Sequence, residues 1–268
     1  MLEGIIKGVV HTPPRIVIYG VHGIGKSTLA AGAPAPIFIP TEEGANEIDV
    51  DKLPTCSSHE DVMNALRALY KEAHDYQTAV IDSADWLEDF IHLELKASYT
   101  DKELSYGKDS VRAAEKMNEV LTALNHLRTK RNMACIIVAH SEVKRFDSPL
   151  TEPYDRYQPK LQSRFSALVQ EWADLVGFAT WDVVVQKEEV GFNREARRGI
   201  STGVRKLYTE ERPAFLAKNR YGMPVELTLP DVSQQREGFK VLAQHIPFYP
   251  RDEAASEPAE QTRRRKAS

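Results

Sequence analysis

The run Gly20-Val21-His22-Gly23-Ile24-Gly25-Lys26-Ser27 follows the pattern G-x-x-x-x-G-K-[ST]. The chemistry of such a run is the holding of a polyphosphate. Glycines let main-chain N–H groups close around phosphate oxygens, and the amino end of the helix that follows adds a favourable dipole. Within it, Lys26 reaches the β and γ phosphates and Ser27 ligates Mg²⁺. The expected contacts of an ATP molecule are Gly20, His22, Gly23, Ile24, Gly25, Lys26, Ser27 and Thr28; the pattern by itself does not choose adenine over guanine.

Four further residues could complete this chemistry. Asp82 closes the apolar run Thr78–Asp82, and a carboxylate at the carboxyl edge of a sheet can support the same Mg²⁺ through water. Hydrolysis also needs a group that orients or deprotonates water. Glu42 and Glu43 directly follow the apolar run Pro36–Pro40, at the edge where a γ-phosphate would lie, and on spacing either could serve. His140 ends another run, where its imidazole can meet the γ-phosphate or the water, or merely cap a strand.

These groups converge only if the segments that carry them are neighbouring strands. Arg15–Gly20 is a short β-branched run, followed by a loop and a helix from Lys26; Pro36–Pro40, Thr78–Asp82 and Ala134–Ala139 are further strands. Ser57 with Glu60 fits a capping box before a helical face of Val62, Ala65, Leu66 and Leu69. A helix is expected from Ala84 towards Ser98. Past Tyr106 and Gly107, a long amphipathic helix is expected through Val111, Ala114, Met117, Leu121, Leu124 and Leu127.

Short apolar strands separated by helices predict an α/β fold, a mostly parallel central sheet flanked by helices, because parallel strands need crossover connections. Beyond residue 140 the pattern changes. Phe165–Phe178 reads as a helix, and Trp181–Gln186 and Val204–Tyr208 as strands that extend the sheet antiparallel. Residues 1–250 are expected to form one core. The tail 251–268 has almost no large apolar residues to offset its ordering entropy, which predicts disorder.

At 268 residues, with 42% hydrophobic and 28% charged residues, the chain has the composition of a globular protein. A formal charge of −4 excludes a protein that coats nucleic acid by overall charge, so any such contact must be local. No apolar run approaches the roughly 20 residues that cross a bilayer, and the start lacks the features of a secretory signal, so a cytosolic protein is expected. Cys56 and Cys135 are too few and too isolated for a disulfide framework or a zinc site; Cys135, inside ACIIVA, reads as a buried thiol.

Ile39-Pro40-Thr41-Glu42 resembles the I-D-T-E segment after the second strand of RecA-type recombinases, with Pro40 in place of the aspartate. That resemblance implies that Glu42 is the catalytic base. Ala217-Lys218-Asn219-Arg220-Tyr221-Gly222-Met223-Pro224 resembles the K-N-K segment of RecA and the K-x-R-x-G-P segment of replicative hexameric helicases, whose cations reach a neighbouring subunit's ATP. Lys218 and Arg220 would be those cations. VIDSADWLE, the Tyr106-Gly107 pair and YDRYQPKLQSRFSALVQEWADLV are similar to phage-encoded RecA-like ATPases of single-strand annealing and recombination.

The resemblance covers Arg15 to Pro230 and implies a minimal RecA-like ATPase core in the cytoplasm of an infected bacterial host. It implies self-association into a ring or filament with ATP at subunit boundaries, and single-stranded DNA as partner, with a single-strand-binding protein as a further one. DNA would be held by mobile loops. By position these are Ser141–Lys160, with Lys144, Arg145, Arg156 and Lys160 near aromatic residues, and Gly191–Arg205, with Arg194, Arg197, Arg198 and Arg205. Cations beside aromatics suit single strands, whose bases stack while phosphates meet charge. A solvated hairpin is the plain alternative at both segments, and Arg263–Lys266 could add non-specific attraction. Two rival functions stand beside this one: a ring-forming helicase or helicase loader, and a nucleotide-dependent assembly module in which turnover is incidental.

Overall fold

The computed structural model describes residues 5, 7–149, 151–189 and 195–250, and of 185–189 and 195–199 the backbone alone. The apolar runs that the sequence offers become strands buried on both faces. Along β1 (Arg15–Gly20), Val17 and Tyr19 enter one core while Ile16 and Ile18 enter the other. The same alternation divides β2 (Pro36–Pro40), where Ile37 and Ile39 oppose Phe38. A two-residue strand, β3 (Asp51–Lys52), lies beside it. In β4 (Thr78–Asp82), Ala79 and Ile81 oppose Val80, and in β5 (Ala134–Phe146), Cys135, Ile137 and Ala139 oppose Ile136 and Val138. A side-chain period of two with both faces covered explains these near-continuous apolar runs, each buried Ile or Val contributing about 1.5–3 kcal/mol.

One core is closed by α2 (His59–Lys71), α3 (Ala84–Ser98), α5 (Lys108–Lys130) and α6 (Ser163–Trp172), through Leu66, Leu87, Met117 and Phe165. A short helix, α4 (Asp101–Leu104), precedes α5. The other core is closed by α1 (Lys26–Ala31) and α7 (Gln235–Ala243), through Leu29 and Phe239. The remaining strands are β6 (Tyr154–Pro159), β7 (Leu175–Glu189), β8 (Glu195–Tyr208), β9 (Lys218–Asn219) and β10 (Glu226–Leu229).

The ten-stranded sheet runs β10-β8-β7-β1-β5-β4-β2-β3, with β6 paired to β5 and β9 to β7. From β7 to β3 every pairing is parallel; β8 and β10 extend the sheet antiparallel beyond β7. The fold class is the one expected, a largely parallel sheet between helices with an antiparallel extension.

Four local expectations are corrected. The cap of α2 is Ser58, not Ser57: its hydroxyl accepts the Asp61 N–H at 3.1 Å, while the Asp61 carboxylate accepts from the Ser57 N–H and hydroxyl. The helix expected over Phe165–Phe178 stops at Trp172, and Leu175–Phe178 joins β7 beside β1. Asp174 causes the change: its backbone N–H donates to the Arg15 carbonyl, and its carboxylate accepts from the Arg15 backbone and guanidinium, the shortest contact being 2.7 Å. Val111, expected on the apolar face of α5, is exposed, since that face buries only from Ala113 onward. Ser141–Lys160, expected as a mobile loop, is largely the antiparallel pairing of β5 with β6. The tail 251–268, including Arg263–Lys266, lies outside the described residues.

Candidate nucleotide-binding site

Parallel pairing brings the candidate groups to one edge. Gly20 is in register with His140, Asp82 with Val138, and Pro40 with Asp82, so the segments after β1, β2 and β4 leave the sheet at the edge where β5, at His140, passes from its pairing with β1 to its pairing with β6. At Gly20 a Cβ would collide with the carbonyl of Ala179 on β7, which restricts the position to glycine. The loop then turns through Gly23 (φ +71°) and Gly25 (φ +84°), left-handed conformations that glycine adopts without a Cβ penalty.

Lys26, 7% exposed, folds back so that its ammonium donates to the carbonyls of Gly20 and Val21, each at 3.1 Å. Burial pushes its pKa down, and the carboxylates of Asp82, Asp85 and Glu42 oppose that shift. Asp82 is buried, with the Ser27 side chain beside it. Burial raises its pKa to about 6, with the nearby Glu42 charge adding to the rise and the Ser27 hydroxyl opposing it.

A divalent cation suits this donor set. Ser27 and Asp82 already meet, and a buried carboxylate held up by desolvation is one that a cation would return to its ionised form. Mg²⁺ is commonly bound by one or two carboxylates together with substrate phosphates rather than by an all-protein cage. Among the described residues no group of three or more His, Cys, Asp or Glu could hold a metal ion.

His140 sits between the loop and the carboxylates. Its backbone N–H donates to Asp85 Oδ1 at 3.1 Å and its Nδ1 meets Asp85 Oδ2 at 2.8 Å. An ionised carboxylate only accepts, so Nδ1 carries the proton and Nε2 is turned towards Glu42, whose Oε1 lies 4.0 Å away. The ring of His22, from the loop itself, stacks on that of His140 with centroids 4.5 Å apart. Burial pushes the Asp85 carboxyl up, but the hydrogen bonds and charge of His140 outweigh it, and the group lies below the usual range. Sequence reasoning missed Asp85. Its spacing of three from Asp82 was a signal, but the partner is 55 residues away. Thr41 was missed too: its hydroxyl links the ends of β2 and β4, accepting from the Ser83 N–H at 2.6 Å and meeting the Ser83 carbonyl at 2.8 Å. Glu43, the alternative base, starts a 3-10 turn, whereas Glu42 precedes it and is the carboxylate that faces His140.

One turn further along α3, the buried Glu88 accepts the Gln162 N–H, at 3.0 and 3.2 Å to its two oxygens, where α6 begins. Burial raises its pKa to about 7, against the lowering effect of that bond and with Asp89 adding to the rise. A carboxyl raised in the folded state stabilises the fold fully below its unfolded pKa and loses that contribution as pH climbs through its folded one. Glu88→Gln is therefore expected to flatten the decline of melting temperature between about pH 5 and about pH 8, leaving the part contributed by Asp82. Identical melting curves against pH for the two proteins would remove this assignment.

Lys218 and Arg220 do not join this cluster. Lys218 pairs with Val176 and Asn219 with Leu175, at the amino-terminal end of β7, the edge of the sheet opposite the loop. The Lys218 ammonium donates to the carbonyls of Gln170 and Glu171 at the end of α6, and Arg220 donates to Asp174 at 3.1 Å. On the β5–β6 pairing, Lys144 lies opposite Arg156 and Phe146 opposite Tyr154, so these four share a face, with the Arg156 guanidinium over the Phe146 ring and bonded to Glu211. Lys144 is held by Glu142, Arg145 points from the other face towards Asp147, and Lys160 is exposed. Arg194 lies outside the described residues, as do the side chains of Arg197 and Arg198. Arg205 is a correction. It is 8% exposed and donates to the carbonyls of Ile24, Gly25 and Pro230, so it faces the phosphate loop rather than a strand of DNA in solvent.

A glycine-lined loop between β1 and α1, with a lysine, a hydroxyl and a strand-end aspartate at one sheet edge, places the chain in the P-loop class of nucleotide-binding α/β proteins. Within that class it belongs to a family described as AAA domain, whose model matches residues 12–221. Among solved structures, the chain is similar to one titled "Crystal structure of the RadB recombinase", at 15% identity and a TM-score of 0.47, covering 85% of this chain and 90% of that one. No curated protein sequence matches it. No helix among the described residues is long and apolar enough to cross a membrane.

Proposed function

We propose that this protein is a Mg²⁺-dependent, RecA-like core ATPase that acts on single-stranded DNA in phage recombination and strand annealing, assembling side by side with ATP at each subunit boundary. The observation that carries the reading is the meeting of Lys26, Ser27, Asp82, Glu42 and His140 at one sheet edge. The DNA-related part rests on the sequence resemblance and on the cation-and-aromatic face of the β5–β6 pairing.

Lys26 exchanges its two carbonyl partners for phosphate oxygens, and Ser27 with Asp82 would hold Mg²⁺, which when bound neutralises charge on those oxygens. Glu42 takes a proton from the attacking water as its oxygen bonds to the γ-phosphorus. The bond from that phosphorus to the bridging oxygen breaks, leaving ADP and phosphate. His140, its Nδ1 proton held by Asp85, presents Nε2 beside Glu42, where it accepts a hydrogen bond from the attacking water and orients it.

Glu42→Gln keeps the shape and loses the base, so turnover is expected to fall on the order of 10²–10⁴-fold while ATP still binds. Single-stranded DNA is expected to raise the turnover of the unaltered protein. Phosphate release measured with and without an oligonucleotide, beside equilibrium nucleotide binding, tests both. DNA binding indifferent to Glu42→Gln, with hydrolysis indifferent to DNA, would replace the reading with that of a nucleotide-dependent assembly module.

A further inference from the structure

We propose that Arg205 is a positioning residue of the phosphate loop, gripping from behind the two peptides whose N–H groups face the nucleotide's polyphosphate. The inference rests on the reading of Gly20–Ser27 as a phosphate-binding loop. Arg205 Nε donates to the Ile24 carbonyl at 2.8 Å and Nη2 to the Gly25 carbonyl at 3.4 Å, the two donors of one guanidinium edge, while Nη1 donates to the Pro230 carbonyl at 2.7 Å. In a trans peptide the carbonyl and the following N–H point in opposite directions. Fixing the carbonyls of Ile24 and Gly25 on one side therefore aims the N–H groups of Gly25 and Lys26 to the other.

The packing is close enough to enforce this. A Cβ at Gly25 would lie 2.7 Å from Arg205 Nη2, so the guanidinium lies flush against the loop. Gly25 O also accepts the Leu29 N–H at 2.9 Å, the first bond of α1, so the same grip reaches the start of the helix. A cation bonded to a carbonyl polarises the peptide and strengthens the N–H on its far side, and its charge attracts a polyphosphate across the loop. Lysine cannot reproduce the arrangement, because an ammonium lacks the planar fork that holds two neighbouring carbonyls in fixed relation.

Arg205 reaches the loop from β8, between Trp181 of β7 and Leu229 of β10. The antiparallel extension of the sheet thus takes part in phosphate binding. It does so next to a register shift between Trp181 and Val183, beyond which the two strands stay paired as far as Glu189 and Glu195.

The test is equilibrium binding of a fluorescent ADP analogue, with steady-state ATP turnover and apo melting temperature, for the full chain and for Arg205→Gln and Arg205→Lys. ADP is the informative probe because the two amides face phosphates that ADP retains. Arg205→Gln is expected to weaken ADP on the order of 10- to 100-fold, the range for losing charge-assisted hydrogen bonds. KM should rise more than kcat falls, because ground state and transition state lose the same contact. Arg205→Lys is expected to fall between the two. A merely structural arginine would lower the melting temperature and leave the affinity of folded protein alone. ADP affinity of folded Arg205→Gln within twofold of the unaltered protein overturns the proposal. If Arg205→Gln does not fold, Arg205→Lys decides by the same criterion. An unaltered protein that binds neither ADP nor ATP overturns the phosphate-loop reading itself, an outcome distinct from equal binding by all three.

Discussion

Lys26→Ala is expected to lower ATP turnover by on the order of 10³-fold or more, the scale for removing a preorganised electrostatic partner of developing charge. The protein itself holds the ammonium at the site: it lies 3.1 Å from the Gly20 and Val21 carbonyls, with Asp82, Asp85 and Glu42 close enough to favour its charged form. Its bonds are to the carbonyls of Gly20, where β1 ends, and of Val21 in the loop, and it pairs with no side chain of either core, so its loss should leave the sheet and both cores intact. Phosphate release beside a far-ultraviolet circular dichroism spectrum separates lost chemistry from lost fold. A folded Lys26→Ala protein that turns over ATP normally would falsify the assignment of the loop, and with it the proposed function.

The second large effect concerns Arg220. In this structure it lies at the sheet edge opposite the loop, bonded to Asp174, which also holds Arg15. A strand of the length of β1, Arg15–Gly20, spans roughly 17–20 Å, so Arg220 does not serve the loop of its own chain. If it completes a neighbour's site, Arg220→Ala should lower turnover about 10³-fold or more, with the affinity of the subunit for nucleotide nearly unchanged. Mixing offers the decisive measurement. Equal amounts of Lys26→Ala and Arg220→Ala subunits, each inactive alone, should recover activity at about a quarter of the head-to-tail contacts, those that join an intact loop to an intact arginine. No recovery on mixing, or full activity of Arg220→Ala alone, rules out a role in trans. Lys218 is the less informative target, since its ammonium also satisfies the Gln170 and Glu171 carbonyls at the end of α6 and its loss would act on stability as well.

Particular residues show where sequence reasoning stopped. Phe165–Phe178 reads as one helix because its apolar spacing suits a helix throughout. The break after Trp172 comes from Asp174, which is bonded to Arg15, 159 residues earlier in the chain. Arg205 sits in a basic stretch and reads as a surface cation. Only its burial against Ile24, 181 residues away, turns it towards the loop. Asp85 looks like an ordinary first-turn helix acid until β5 brings His140 to it.

What the sequence by itself determined is whatever is local. The glycine spacing and lysine of the phosphate loop, the two-faced apolar strands, the helices over Ala84–Ser98 and Lys108–Lys130, and the parallel plan that follows from strand–helix alternation all depend on residues a few positions apart. What only the tertiary structure decided is which polar groups share a hydrogen bond across the sheet. Strand order β7-β1-β5-β4-β2 sets Gly20 beside His140 and Asp82 beside Pro40, and no local propensity encodes that order. The physical reason is that buried polar groups take whichever partner the packed chain places within reach, because leaving them unpaired costs more than any local preference contributes.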